Sequence, residues 1–434
     1  MQALLSYDQS PPIAAPFRFF LTAPVFGILA GLLLLWEGPD MLAARWTPGV
    51  LALTHLMTIG FMLQVMLGAL IQILPVVAGA NLTQPIRLAA AVHVALNLGT
   101  LLLVAAFLTF DPTWFKAAAL ILGAGTAVFI GAALFALRGV PSTSASIKGL
   151  KHALVGLAVT VSLGVALTAS LGWSLDVPLM ELTDIHLVWG FVGWGAVLLA
   201  AVAYVVVPMF QITPAYPGGF ERWFSIAVLA MVGAWSVVEY FSLSVASFLL
   251  GLVVVIIVAT FAVVTLKLQR GSKRARFDAN QHCWRVAMLS ALAAGGVWLL
   301  AMRVPAFGEW TGWPLLCGVL LLFGGFMTVI VGMLYKIVPF LIWLHLQNAG
   351  ARRVLAPNMK KIIAERDMDR QVRAHFLACA LALAAVFWPA GFVYPAGLAL
   401  VLANGWLMRN LWSGVSVYRA HLQKIGASTV RADT

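Results

Sequence analysis

The stretch LTHLMTIGFMLQVMLGALIQILPVVAGAN, residues 53–81, decides the fold. It runs for 29 residues without an Asp, Glu, Lys or Arg, and a helix crossing a bilayer needs about 20 apolar residues. Two other stretches follow the same wording: TDIHLVWGFVGWGAVLLAAVAYVVVPMFQ at 183–211 and LLFGGFMTVIVGMLYKIVPFLIW at 321–343. Each carries a Gly-Phe pair (Gly60-Phe61, Gly190-Phe191, Gly325-Phe326) and then an aliphatic pair before proline (Pro75, Pro208, Pro339). The prolines stand 133 and 131 residues apart. A recurrence of that length predicts three repeat units, roughly 17–137, 148–268 and 283–411, each of four helices.

Around these three, windows of membrane-spanning length give twelve candidate spans. They start near Phe17, Gly49, Ile86, Trp114, Leu150, Thr183, Trp223, Val245, Trp284, Trp313, Val372 and Val393. The expected fold is an all-α polytopic membrane protein, residues 1–434 forming one transmembrane domain with cytoplasmic loops at 269–283 and 347–371. Composition agrees: 62% of the 434 residues are hydrophobic and 10% charged, against roughly 25% charged in soluble domains. That leaves no room for a sizeable aqueous domain or a nucleic-acid interface. No charged region with a small-residue cleavage site precedes Phe17, so the first span reads as a retained helix.

Charge sets the orientation. With twelve spans both ends share one side, and 23 of the 27 Lys and Arg residues fall on it, against Arg45, Lys116 and Arg303 on the other. Both termini are therefore expected in the cytoplasm, with the chain in a bacterial-type inner membrane. The net charge of +12 needs no anionic partner beyond the bilayer. Cys283, Cys317 and Cys379 form no CxxC and read as structural thiols.

Depth sorts the eight histidines. His93, His152, His282, His345, His375 and His421 fall near the cytoplasmic ends of their segments, whereas His55 and His186 open two of the three related helices toward the outer face. A neutral imidazole there is either a ligand for haem iron or copper, or a group bonded to a nearby carbonyl. Met57 adds a thioether. Glu181 and Asp184 either orient a histidine or favour the positive end of their helix, and Glu239 sits among apolar neighbours. On the cytoplasmic side Lys336 is a proton entrance, an anchor for an anion, or a chain reaching the surface, with His345 beyond it. The glycines Gly190, Gly193, Gly195, Gly318, Gly324, Gly325 and Gly332 either let helices approach or leave volume for a flat cofactor.

Twelve helices in three four-helix units, with HLMTIGFMLQVMLGALIQILP and HLVWGFVGWGAVLLAAVAYVVVP among them, resemble the catalytic subunit of haem-copper oxidases, in wording closest to the nitric-oxide-reductase-like branch. The opening FRFFLTAPVFGILAGLLLLW followed by a histidine-bearing second helix is also similar to the NnrS family of haem- and copper-containing membrane proteins. The resemblance implies that His55 matches the second-helix ligand of the low-spin haem and His186 the sixth-helix ligand of copper. The rest of the pattern is missing: the seventh span has no histidine pair and the tenth no His-x-His, with Cys317 and Met327 as possible soft donors. The implied protein holds haem b or copper through His55 and His186, with Met57 nearby, and lacks a full binuclear centre. It serves electron transfer, metal or haem handling, or a nitric oxide response, with a redox partner or respiratory complex beside it. The rivals are a transporter or permease whose proton or substrate path uses Glu239, Asp184, Lys336 and His345, and a structural subunit of a larger complex. The residues do not decide whether the protein is an enzyme.

Overall fold

A computed structural model describes residues 6–350 and 354–433, with the side chains of all of these but 428–433. Arg352, Arg353 and the side chain of Arg431, counted above among the basic residues, lie outside the described residues. Among the described residues twelve helices are long and apolar enough to cross a membrane: α1 (Ala14–Glu37), α2 (Pro48–Ala78), α3 (Pro85–Thr109), α4 (Pro112–Ala136), α5 (Ala145–Trp173), α6 (Leu179–Gln211), α7 (Gly218–Tyr240), α8 (Ser244–Arg270), α9 (Ala279–Arg303), α10 (Trp313–Ala349), α11 (Glu365–Phe387) and α12 (Pro389–Ala427). The protein is an all-α polytopic membrane protein.

Local chemistry starts these helices where it should. Pro48, Pro85, Pro112 and Pro389 open four of them, at the position where a missing N–H costs nothing. Asp111, Ser144 and Asp278 cap α4, α5 and α9 by accepting from the N–H groups of Thr113, Ile147 and Gln281. Hydropathy places the spans well but starts some late. α11 begins at Glu365 rather than near Val372, because its first turns, ERDMDRQ, are charged yet helical. The expected loops at 269–283 and 347–371 shorten accordingly, since α8 runs to Arg270, α9 begins at Ala279 and α10 runs to Ala349.

Nine helices form a closed outer ring in the order α12, α1, α3, α4, α5, α7, α8, α9, α11, and α2, α6 and α10 stand inside it. Burial makes the division plain. In their most apolar windows α2, α6 and α10 are 83%, 61% and 78% buried, whereas α5, α8 and α9 are 22% buried. The neighbour order has a period of four: α1, α5 and α9 each touch the next helix, the next but one, and the helix before. At the axis Gly195 of α6 faces Phe326 of α10 and Met62 of α2, and Phe191 stacks on Phe326 at 5.8 Å.

Each inner helix also departs from α-helical winding in the same place. Leu56–Leu63, Trp189–Ala196 and Val319–Met327 are π-helical, and each π segment contains the Gly-Phe pair of the sequence repeat. A π turn carries an extra residue and is common at functional positions. Below these segments lie Pro75, Pro208 and Pro339. The segment Ser6–Ile13 then crosses the ends of all three inner helices like a strap. The Ser6 N–H donates to the Val76 carbonyl, Gln72 Nε2 donates to Ser10 Oγ, Tyr7 reaches Met209 Sδ and packs edge-on against Phe340, and His345 Nε2 meets the Pro11 carbonyl at 3.1 Å. The end of the bundle where α1 begins and α12 ends is called the strap face below.

The ring closes where α1 meets α12. There a Cβ on Gly31 would stand 2.6 Å from the Gly397 carbonyl, and one on Gly397 would stand 2.8 Å from the Gly31 carbonyl. Both obstacles are backbone, so a larger residue has to push the helices apart. Gly31→Leu is therefore expected to lower the melting midpoint of the detergent-solubilised protein, at an overpacking cost of about 1–3 kcal/mol. Gly405→Ala on α12, where a Cβ meets nothing within 4 Å, should leave it unchanged; equal midpoints for all three proteins would refute the close seam.

Candidate functional site

At the end opposite the strap a cavity of about 320 Å³ lies between α2, α4, α5, α6 and α10, with α11 and α12 closing one side. Volumes of roughly 300–1,000 Å³ are usual for ligand pockets. The walls are chiefly aliphatic and aromatic side chains, among them Leu51, Met62, Phe191, Trp194 and Phe323. Gly190 and Gly318 line the cavity, while Gly193, Gly195, Gly324 and Gly332 serve helix packing against α5, α10 and α2, and α9. Glycine thus serves close helix packing at some of these positions and lines the cavity at others.

His55 and His186 both line this cavity. Each is set by one hydrogen bond of the same kind. His55 Nδ1 lies 2.8 Å from the Leu51 carbonyl one turn earlier in α2, and His186 Nδ1 lies 3.0 Å from the Thr160 carbonyl of α5. A carbonyl only accepts, so Nδ1 carries the proton in both rings and Nε2 keeps its lone pair. Phe107 holds the His55 ring at 5.1 Å between centroids. For His186 the support is an absence: a Cβ on Gly164 would come within 2.9 Å of its Cε1. Gly164 is what lets that imidazole stand where it does.

His93 and His375 are bonded the other way round. The Thr22 hydroxyl donates to the Arg18 carbonyl and the Thr328 hydroxyl to the Phe323 carbonyl, so each accepts from the Nε2–H of His93 or His375. His375 also lies deeper than its sequence position suggested. Because α11 starts at Glu365, it is a buried group 1% exposed, bonded to a residue just past the π segment of α10.

The remaining candidates fall in different places. Asp184 is paired with Arg45 through two contacts of 2.6 and 3.3 Å, and the Arg45 guanidinium lies 4.3 Å over the Trp46 ring. This group stands at the cavity mouth, where Trp46 and Leu187 are exposed. Met57 is fully buried and is not part of the cavity wall; Met62, one π turn on, is. Glu239 accepts a short hydrogen bond from the Ser247 hydroxyl in the α7–α8 hairpin, away from the cavity. His345 has both ring nitrogens against carbonyls, those of Leu341 and Pro11, and fastens the strap. Six threonines on the cavity wall, Thr54, Thr58, Thr126, Thr160, Thr168 and Thr183, escaped notice in the sequence, where single hydroxyls barely alter a long apolar window; all but Thr54 donate to a carbonyl of their own helix. No group of three or more His, Cys, Asp or Glu side chains able to hold a metal occurs among the described residues.

Lys336 forms an ion pair of 2.7 Å with Asp278, which also meets Arg274 at 2.9 Å. It stands 13 residues beyond Phe323 in the same helix, or about 20 Å along its axis, so it belongs to the strap face and not to the cavity. Comparison with known proteins adds no relative: no protein-family model matches the chain, and no curated protein matches it.

Asp278 links this polar group to pH. Burial pushes its carboxyl up, but the Lys336 ammonium, the Gln281 N–H and Arg274 outweigh that and hold it below the ordinary carboxylate value. A depressed folded value adds stability that is complete above the unfolded value of about 4 and is lost as pH falls through the folded one. Asp278→Asn keeps the helix cap and removes the charge. It is expected to lower the melting midpoint at pH 7 and to flatten its fall on the acid side; a midpoint that drops with acid as steeply as in the wild type would contradict this assignment.

Proposed function

We propose that the protein binds haem b in this cavity through His55 and His186 and serves electron transfer or haem handling in a membrane. The observation that carries the reading is the shared setting of the two imidazoles: one apolar cavity, each Nδ1–H given to a backbone carbonyl, each Nε2 left as a donor. Ligating histidines are oriented by that kind of second hydrogen bond. Haem is favoured over a bare copper ion on two grounds. The cavity is far larger than an ion needs, about ten times the volume of a water molecule. A porphyrin also brings four nitrogens of its own, whereas copper sites usually draw on three or more protein ligands, and no such group converges there.

When bound, haem iron supplies a one-electron couple. The chain's own residues do the rest. Leu51 and Thr160 fix the tautomers, Phe107 and Gly164 set the rings, the apolar wall excludes water, and Arg45 at the mouth, already paired with Asp184, is the one Lys or Arg among the described lining residues. The lining of α10 offers no imidazole, so a binuclear oxygen-reducing centre is not part of the proposal. The three-unit arrangement expected from the sequence is supported by the π segments and by the four-helix period of neighbours. The excess of basic residues on the strap face supports cytoplasmic termini and a bacterial-type inner membrane.

The test is an absorption spectrum of the detergent-purified protein, oxidised and dithionite-reduced, with iron and copper measured on the same sample. A Soret band is expected, lost or shifted in His55→Ala and His186→Ala, shifted in Gly164→Ala, and unchanged in His345→Ala. Stoichiometric copper without a Soret band would replace haem by copper at the same ligands. A colourless, metal-free protein from cells supplied with both would overturn the reading and leave the cavity to a transported substrate entering past Arg45 and Asp184.

A further inference from the structure

The outer face of α8 carries one continuous exposed stripe: Leu249, Val253, Ile256, Thr260, Val263, then Lys267 and Arg270. Its spacing of three and four residues keeps every member on one side of the helix. α9, which packs beside α8 in the ring, shows the mirror order, with His282 and Arg285 leading into Leu289. On both helices the apolar stripe ends in cations at the strap face, where a bilayer passes from acyl chain to headgroup. The loop between them adds exposed Lys273 and Arg276.

These charges are free to meet an anion. Between residues 267 and 285 the sequence has six basic residues and one carboxylate, Asp278, and Asp278 is already held by Lys336 and Arg274. None of Lys267, Arg270, Lys273, Arg276 and Arg285 makes an ion pair with a described residue. The loop is also fixed in place. The Lys273 N–H donates to the Ile212 carbonyl at 3.0 Å, Ser272 Oγ to the Gln211 carbonyl at 2.6 Å, and Arg274 Nη2 to the Phe210 carbonyl at 2.6 Å. Three bonds to the end of α6 fix the loop that joins the two helices without help from a ligand.

We propose that the α8–α9 seam at the strap face is a binding site for an anionic phospholipid, its acyl chains along the Val253–Val263 stripe and Leu289 and its phosphate among Lys267, Arg270 and Arg285. A free phosphate would use the cations alone; the apolar continuation on both helices is what points to lipid. Basic groups between membrane helices at a headgroup level are suited to such lipids, and their attraction falls with salt.

The experiment is native mass spectrometry of the full chain in detergent, titrated with phosphatidylglycerol, with phosphatidylcholine of the same acyl chains, and with glycerol phosphate as competitor. Phosphatidylglycerol is expected to occupy the protein about tenfold more than phosphatidylcholine, to weaken as ionic strength rises, and to resist displacement by glycerol phosphate. The combined variant Lys267→Gln, Arg270→Gln, Arg285→Gln should fall to the phosphatidylcholine level. Arg366→Gln, Arg370→Gln, Arg373→Gln removes as many exposed charges from α11 and should not. Equal occupancy by the two lipids, retention in the first variant, an equal loss in the second, or displacement by glycerol phosphate would each overturn the proposal. The salt dependence of the wild-type protein tests it even where a variant fails to fold.

Discussion

In hydrocarbon a backbone N–H or C=O that loses its partner finds no water to replace it, so every irregular turn must be sheltered by protein. The arrangement of this molecule follows from that constraint. The π segments of α2, α6 and α10, each with a proline beyond it, are the chief places where regular winding gives way. Among the described residues π winding is confined to the three inner helices, behind a ring of nine that meets the lipid and in which α1 and α12 carry one internal proline each, Pro24 and Pro395. Ring helices such as α8 and α9 keep regular winding and show side chains outward. Irregular backbone, once sheltered, becomes useful: the wider turns re-aim the residues that follow, and the cavity forms beside them.

The twelve spans were legible because hydropathy over about 20 residues is a property of the chain itself. So was the relation among the three inner helices, although the sequence showed it as Gly-Phe pairs and the structure shows it as π winding around those pairs. What could not be read were pairings over long separations. Asp184 read either as orienting a histidine or as favouring its helix start, and neither reading pointed to Arg45, 139 residues distant, which it faces. Lys336 looked like a lone intramembrane cation until Asp278 closed on it from 58 residues away. His375 was placed too shallow because α11 begins with charged residues that are helical all the same.

The cavity separates what its histidines have in common from what sets them apart. His55 is oriented from within its own helix, by Leu51, and so moves with α2. His186 is oriented across a helix boundary, by Thr160 of α5, and the room for its ring is left by Gly164 of the same helix. One imidazole thus reports the position of a single inner helix, the other the packing of an inner helix on the ring. Buried polar bonds of this kind restrict a site to one geometry more than they stabilise it, and they distinguish His55 and His186 from His93 and His375, whose Nε2 protons are already committed.

The strap has a consequence for how the molecule is made. Ser6–Ile13 is synthesised before any span, and its first anchors, on α2, follow soon after. Its others come late: Met209 is 202 residues beyond Tyr7, and His345 is 334 beyond Pro11. At about 5–20 residues per second, the last anchor emerges roughly 20–70 s after the strap. Until then the strap is tied at one end, and the ends of the inner helices stay uncovered. Its closure is therefore a late event of assembly, possible only when α2, α6 and α10 stand side by side, and a chain that stops before the tenth span never completes it.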